Sequence, residues 1–287
     1  MKFNLFRKIK SNRLKIAYLA WRRINDNSLY SKDVAALTYA TFTSLIPLVA
    51  VLFAVARICG LDEVFINWLA TVLRGQPEVA ENVVGLVHNY LKNTSNQTII
   101  LVGVGFMLYP LYSLMNKIDI SFSGIWGVNE RPLGFKLFRD FVFLYIVFFL
   151  ILLLTLFVNL KVLLFQSLIE DYDLIGNILS LLSPAITVIP LTIFFLVMFC
   201  YLPNTKVQLS KVLVPALVCA ILIDILKYIY IYVQVFLTSY NVIYGSLAVL
   251  PLFLLWLQCV WFIIEVSVAW SYALQNIDSF EKKLFIE

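Results

Sequence analysis

The sequence predicts an all-α polytopic membrane protein with six transmembrane helices, several of them kinked at proline, plus amphipathic surface helices. Hydrophobic residues make up 62% of the chain and charged residues only 14%, whereas an average soluble domain carries about 25% charged residues. Several uncharged runs reach the roughly 20 residues that a helix needs to cross a ~30 Å hydrocarbon core. This composition is not that of a soluble enzyme with a single anchor.

Six apolar runs form one predicted membrane domain over residues 34–274. The spans lie at about 34–56, 98–116, 141–160, 178–202, 212–235 and 245–270. Five of the six contain proline, which removes a backbone donor and favours a bend: Pro47, Pro110, Pro184, Pro190, Pro215 and Pro251. Amphipathic helices are expected on the outer surface at 62–92. A loop is expected after Asn116, and a short tail at 275–287.

The first 33 residues are basic, with nine Lys and Arg. Four apolar residues recur there at helical spacing: Leu14, Tyr18, Trp21 and Ile24. One interpretation is an amphipathic helix on the cytoplasmic face of the membrane, its cations turned to anionic headgroups. The other is an ordinary cytoplasmic helix packed under the bundle. The sequence does not separate them.

The loop charges predict the topology. Seventeen Lys and Arg fall on the side that holds both termini, and four fall on the opposite side. The positive-inside rule then places both termini in the cytoplasm, in what we expect to be a bacterial inner membrane. The excess of positive charge is an orientation signal and does not indicate nucleic acid binding.

Three charged residues lie within the last two spans: Asp224, Lys227 and Glu265. A charge in hydrocarbon costs at least about 2.5–3.5 kcal/mol, so such residues are paired, hydrated or functional. Asp224 and Lys227 are three residues apart, which predicts an ion pair on one helix face. Their role is open between a substrate or proton pathway and structural pairing or snorkelling.

The two carboxylates are predicted to lie at different depths. At ~1.5 Å per helical residue, Asp224 is roughly 20 Å from the cytoplasmic end of its span, and Glu265 roughly 8–12 Å from that side. Direct pairing of the two is therefore not expected. Asp224 with Lys227 would face a cavity open to the outside, and Glu265 a cavity open to the cytoplasm. Candidate polar lining residues are Tyr228, Asn241, Tyr244 and Gln258, although an aromatic belt explains the tyrosines equally well.

Other chemistries find no support in the sequence. The single histidine, His88, stands apart from any carboxylate cluster, and no P-loop is present. The four cysteines are scattered through the chain without metal-ligand spacing. We therefore expect no catalytic residues, no metal and no cofactor.

Four stretches resemble the YihY/BrkB family of bacterial inner-membrane proteins, a family once mislabelled as ribonucleases. They read DVAALTYATFTSLIPLVAVL, IWGVNERP, YLPNTKV and NVIYGSLAVLPLFLLWLQCVWFIIEVSVAW. The resemblance covers residues 30–275 and implies six spans with both termini inside. It also links the chain to virulence and to envelope lipid movement. Ile264 and Gln258 depart from the family pattern near Glu265.

Two functional hypotheses follow. The first is a transporter or lipid translocator of the cell envelope, with membrane lipids as its partners and a path among the proline-bent helices. The alternative is a non-transporting scaffold that binds an envelope protein through the outer segment at 62–92. A membrane-embedded enzyme is the least favoured class, since no reactive constellation is found.

Overall fold

The computed structural model describes residues 12–26, 33–45, 85, 97–129, 139, 142–151, 188–240 and 249–286. Within these ranges the chain is helical apart from short turns and contains no strand. The helices are α1 (Asn12–Asp26), α2 (33–45), α3 (Gln97–Trp126), α4 (Val142–Ile151), α5 (Val188–Tyr201), α6 (Leu209–Tyr240) and α7 (Val249–Ile286). The predicted outer helices at 62–92 lie outside the described residues, apart from residue 85.

Two described helices are long and apolar enough to cross a membrane, Leu209–Phe236 in α6 and Leu250–Asp278 in α7. Only 33% and 39% of their most apolar windows are buried inside the protein. A core helix of a soluble protein would be mostly buried, so this exposure fits helices that face lipid. The all-helical class is confirmed. The count of six spans stays a prediction.

Helix α3 is longer than the sequence predicted. The span was expected to end at Asn116 and to give way to a loop, but the helix continues to Trp126. Three apolar side chains of this extension, Ile118, Phe122 and Ile125, recur at helical spacing and are at most 5% exposed. Their packing outweighs the charged residues and the glycine that suggested a loop.

Proline does not interrupt the described helices. Pro110 lies inside α3 and Pro215 inside α6. Pro190 and Pro251 lie in the first turns of α5 and α7, where no intrahelical donor is needed. Pro47 and Pro184 lie outside the described residues.

Helix α7 packs against α1, α2, α3 and α6. It contacts α6 and α1 extensively and also α3. The ring contact of Tyr230 with Trp256 and the side-chain contact of Cys219 with Ser267 show that α6 runs antiparallel to it. Small buried residues lie on both sides of this contact and allow close approach of the two helices: Ala216, Cys219, Ala220, Ala269 and Ala273.

The relative directions of α2 and α3 also follow from contacts with α7. Asp33 at the start of α2 acts electrostatically on Glu265, whereas Phe42 packs on Phe253 nearer the start of α7, so α2 is antiparallel to α7. Ser121 of α3 contacts Glu265, and Trp126 packs edge-on against Tyr272 further along both helices, which makes α3 parallel to α7. These directions are the ones expected of alternating spans.

Helix α1 packs against the C-terminal half of α7. Leu19 and Ala20 are buried with Ala273, and Ile277 and Phe280 pack on them. Of the two interpretations of the basic segment, packing against the bundle describes this face of the helix. Leu14 and Trp21, by contrast, are 61% and 60% exposed.

Arg23 of α1 caps the C-terminus of α3. Gly127 has a φ of 67°, and its N–H donates to the Gly124 carbonyl while the Val128 N–H donates to the Ser123 carbonyl. This is the Schellman pattern of a helix end. The Arg23 guanidinium donates to the Ile125 carbonyl at 2.5 Å and the Gly124 carbonyl at 3.0 Å, and it lies 5.1 Å above the Tyr272 ring. One side chain thus joins α1, α3 and α7.

We expect Arg23→Ala to lower the free energy of unfolding by about 1–3 kcal/mol, because charge-assisted hydrogen bonds and a cation–π contact are lost. Gly127→Ala should be destabilising as well. The turn needs a positive φ, and a Cβ there would overlap the Arg23 guanidinium. Thermal unfolding of purified protein in detergent measures both effects.

The overlap also predicts that the two changes are coupled. In the Arg23→Ala background, Gly127→Ala should cost less than it does alone, since the obstructing guanidinium is gone. Arg22→Ala is a matched control on the same helix, because the Arg22 guanidinium lies over the Phe280 ring of α7. Fully additive costs for Arg23 and Gly127 would contradict the capping role.

The turn between α5 and α6 is fastened to α7 by Gln275. Its amide oxygen accepts a hydrogen bond from the Gln208 N–H at 2.9 Å, and its amide nitrogen donates to the Lys206 carbonyl at 3.0 Å. Asn204 donates to the Asn129 carbonyl just beyond α3. The ends of α3 and α5 and the start of α6 therefore meet α7 at one side of the bundle. The predicted tail from residue 275 begins inside this contact.

Candidate functional site: a polar layer between the helices

Glu265 is a carboxylate buried within an apolar helix. It is 1% exposed, and its Oε1 accepts a hydrogen bond from Ser121 Oγ of α3 at 2.7 Å. Its second oxygen, Oε2, has no hydrogen-bond partner among the residues that the structure describes. Because a buried acceptor without a partner is costly, this oxygen is where Glu265 has spare capacity to bind.

Asp33 is a second acidic group that acts on this site. It begins α2, just before the first predicted span, and is half-buried. Burial raises the pKa of its carboxyl above the usual value. The Asp33 carboxylate is close enough to Glu265 to act on it electrostatically, so any positive charge held at Glu265 is attracted by both groups.

Asp224 and Lys227 form the ion pair that their spacing predicted. Lys227 Nζ lies 2.5 Å from Asp224 Oδ1. The Asp224 side chain is 9% exposed and that of Lys227 is 36% exposed. The ammonium also lies 4.5 Å from the centre of the Tyr228 ring, which is a cation–π contact. The pair is thus buried at its acidic end and open at its basic end.

The helix register places these charges at nearly the same depth. The contacts Tyr230–Trp256 and Cys219–Ser267 are separated by eleven residues on each helix, so α6 and α7 keep a constant register between them. Asp224 is then level with Phe262, three residues from Glu265, which is an axial offset of about 4.5 Å. We call Glu265, Ser121, Asp224 and Lys227 the polar layer.

The predicted separation in depth is therefore wrong. It counted the depth of Glu265 from Trp270, whereas the start of α6 lies beside Gln275, which accepts a hydrogen bond from the Gln208 N–H. Measured from Gln275, Glu265 lies about 15 Å along the helix, within about 5 Å of the value for Asp224. An outward patch and a separate inward site are replaced by one layer. As expected, the two carboxyl groups share no hydrogen bond in the part of the chain that the structure describes.

Buried serines extend the layer on α3 and α7. Ser123, Ser267 and Ser271 are at most 3% exposed, and the hydroxyls of Ser123 and Ser271 have no hydrogen-bond partner among the described residues. Asp119 on α3 is also buried, at 1% exposure. Ser121 and its neighbours were not predicted to belong to the site, because a loop was expected after Asn116. Helical spacing of Ile118, Phe122 and Ile125 was the signal that would have found them.

Two of the four predicted lining residues lie in the part of the chain that the structure describes. Tyr228 is 56% exposed and touches the layer through its ring. Gln258 lies on an exposed stripe of α7 between Leu255 and Phe262, which are 60% and 51% exposed. Asn241 and Tyr244 lie outside the described residues.

The arrangement offers charge recognition more than bond-making chemistry. A carboxylate with a free oxygen, a second carboxylate and a partly exposed ammonium lie within about two helical turns. Such a set can exchange its internal ion pair for the ionic groups of a ligand, or hold a proton or cation. Among the residues that the structure describes, no group of three or more His, Cys, Asp and Glu side chains is arranged to hold a metal ion.

Sequence comparison identifies relatives among membrane proteins. A UPF0761 membrane protein of Coxiella burnetii is 28% identical over 280 residues, covering 93% of this chain and 95% of the relative. Membrane proteins of the same name from Saccharophagus degradans and Teredinibacter turnerae are 27% and 28% identical over 81% of this chain. The chain spans about half the length of those two relatives, 53% and 54%.

No solved structure matches the chain. The profile of the family described as virulence factor BrkB matches residues 20–284, a range that contains α2 to α6, all but the last two residues of α7 and the whole polar layer. The blocks that resembled this family in the sequence are thus part of a match across nearly the entire chain. The protein belongs to the virulence factor BrkB family, whose curated relatives are membrane proteins.

Proposed function

We propose that this protein moves lipids between the two leaflets of a bacterial membrane, with the headgroup passing through the polar layer. The observation that carries the proposal is the partly exposed ammonium of Lys227. Tyr228, whose ring the ammonium contacts, and Ile231, one turn further along the same helix face, are 56% and 48% exposed. A headgroup can reach the layer sideways from the bilayer, while its acyl chains stay in lipid.

The internal ion pair gives the layer a way to receive a headgroup without exposing a bare charge. A phosphate approaching Lys227 replaces one carboxylate partner by another anion, and an amine of a zwitterionic headgroup can occupy Asp224 in turn. Because charges are costly in hydrocarbon, this exchange lowers the barrier for the headgroup in the middle of the membrane.

Glu265 is proposed to hold a proton or cation that couples to this movement. Its free Oε2 and its single hydrogen bond from Ser121 leave room for an incoming cation. Its axial offset of about 4.5 Å from Asp224 places the two carboxyl groups at nearly the same level of the bundle, which a headgroup crossing that level would pass. Fluorescent-lipid assays with and without a proton gradient distinguish a coupled translocator from a passive one.

The test of the proposal is lipid movement by the purified protein in liposomes. Lipids with a fluorescent headgroup are reconstituted with wild type, with no protein, or with the Asp224→Asn, Glu265→Gln variant. Reagent added outside then bleaches the outer leaflet. Wild type should expose the inner lipids faster than protein-free liposomes, and the variant should not. No movement with correctly folded wild type would refute translocation and favour the scaffold hypothesis.

A further inference from the structure

The N-terminal helix carries two apolar faces, and among the residues that the structure describes only one of them packs on the bundle. The packed face holds Leu19 and Ala20 against α7. On the opposite side of the same helix, Leu14, Ala17 and Trp21 follow one another at helical spacing and are exposed. We call these three residues the exposed stripe of α1.

We infer that the exposed stripe of α1 docks into the membrane surface, so that α1 joins the end of the bundle to anionic lipid headgroups. This goes beyond the proposed translocation, because it assigns a lipid contact that lies outside the polar layer. It also combines the two interpretations of the basic segment, one on each face of the helix.

The position of α1 supports this occupant. Its packed face lies against Ala273, Ile277 and Phe280. These residues lie beyond the roughly 20 that a helix needs to cross the hydrocarbon core, counted from the start of α7, and polar residues such as Gln275 begin there. Helix α1 therefore lies at the level where α7 leaves the hydrocarbon. Arg23 fixes it there by reaching the last turn of α3.

The composition of α1 fits the same level of the membrane. Tryptophan and tyrosine prefer the interface between headgroups and acyl chains, and Trp21 is accompanied by Tyr18, with ring centroids 6.2 Å apart. The first 33 residues hold nine Lys and Arg but only two acidic residues, Asp26 and Asp33. Such an excess of positive charge complements the anionic surface of a membrane.

A second copy of the chain is a weaker candidate for the stripe. Three side chains along about 10 Å of helix fall well short of the roughly 800 Å² that each partner contributes to a stable protein interface. For a lipid interface this size is sufficient, because the stripe adds to an anchor that the transmembrane helices already provide.

The test uses the full chain in nanodiscs of phosphatidylethanolamine and phosphatidylglycerol. The native Cys59, Cys200, Cys219 and Cys259 are replaced by alanine. A single cysteine carrying an environment-sensitive dye is then placed at Ala17 or, as a control, at Thr205. Thr205 is exposed in the turn that Gln275 fastens to the same side of the bundle. Quenching by lipids spin-labelled near the headgroup is compared with quenching by aqueous iodide.

The label at position 17 should be quenched by the lipids at least about threefold more strongly than the label at position 205, with the opposite order for iodide. Equal lipid quenching at both positions would overturn the inference. So would a label at position 17 that is shielded from both quenchers, since another protein would then cover the stripe.

A second variant keeps the test independent of folding. Leu14→Ser with Trp21→Ser should reduce lipid quenching at position 17 to the level of position 205. Its thermal midpoint should stay that of wild type, because the face with Leu19 and Ala20 is intact. Unchanged lipid quenching in this folded variant would show that the stripe does not hold the helix at the membrane.

Discussion

Replacing Glu265 by glutamine is expected to slow lipid movement at least about tenfold, equivalent to about 1.4 kcal/mol in the barrier, while the fold is kept. The amide oxygen of glutamine still accepts the hydrogen bond from Ser121 and fills the same volume. The substitution removes the negative charge and replaces the unpaired Oε2 acceptor by an NH2 donor. Initial rates of fluorescent-lipid exposure in liposomes measure the first effect, and thermal unfolding in detergent measures the second.

Gln258→Ala is the matched control for this prediction. Gln258 is a polar residue of the same helix, two turns from Glu265, but it lies on an exposed stripe. Its loss should leave the rate of lipid movement unchanged. If Glu265→Gln moves lipid as fast as wild type at equal thermal stability, Glu265 is a structural residue and not part of a path.

The second large effect is expected at the Asp224–Lys227 pair. Asp224→Asn leaves the Lys227 ammonium in an apolar helix without its carboxylate partner. We expect a loss of about 1–3 kcal/mol of stability, below the range for a fully buried pair because Lys227 is partly exposed. Lys227→Gln should cost a similar amount, since it leaves the more deeply buried Asp224 without its cation. Chemical and thermal unfolding measure both losses.

The double variant Asp224→Asn, Lys227→Gln separates stability from function. Removing both charges together should be less destabilising than the two single losses combined, by at least about 1 kcal/mol, because no charge remains unpaired. Lipid movement should nevertheless stay lost, since the exchange of ionic partners is impossible. A stable double variant with wild-type lipid movement would show that the pair serves folding alone.

The sequence was sufficient to predict what local chemistry determines. Long uncharged runs require helices in a membrane, because no water is available to the backbone. The three-residue spacing of Asp224 and Lys227 was enough to predict their contact, because neighbours on one helix face meet whatever surrounds them. The blocks around Pro251 and Glu265 were enough to identify the family, and the match over residues 20–284 confirms it.

The remaining features depend on contacts between distant parts of the chain. The depth of Glu265 relative to Asp224 depends on how α7 is aligned with α6, and this register rests on contacts such as Tyr230 with Trp256. The hydrogen bond from Ser121 crosses 144 residues of sequence, and no local pattern links the two. In the sequence, Arg23 contributed only to the count of positive charges that predicts the topology. In the fold it caps α3 at Gly124 and Ile125, which are 101 and 102 residues away in the sequence.

Chemical rescue at position 227 tests most directly whether the polar layer is a path that ligands reach in the membrane. In a variant whose native cysteines are replaced, Lys227→Cys should lose lipid movement. Treatment of its proteoliposomes with 2-aminoethyl methanethiosulfonate attaches an ammonium at nearly the length of lysine. We predict that the thiol at position 227 reacts and that lipid movement returns. The same treatment should leave lipid movement by Gln258→Cys unchanged. A thiol at position 227 that stays unmodified, or that is modified without any recovery, would contradict an open polar layer and leave a purely structural ion pair.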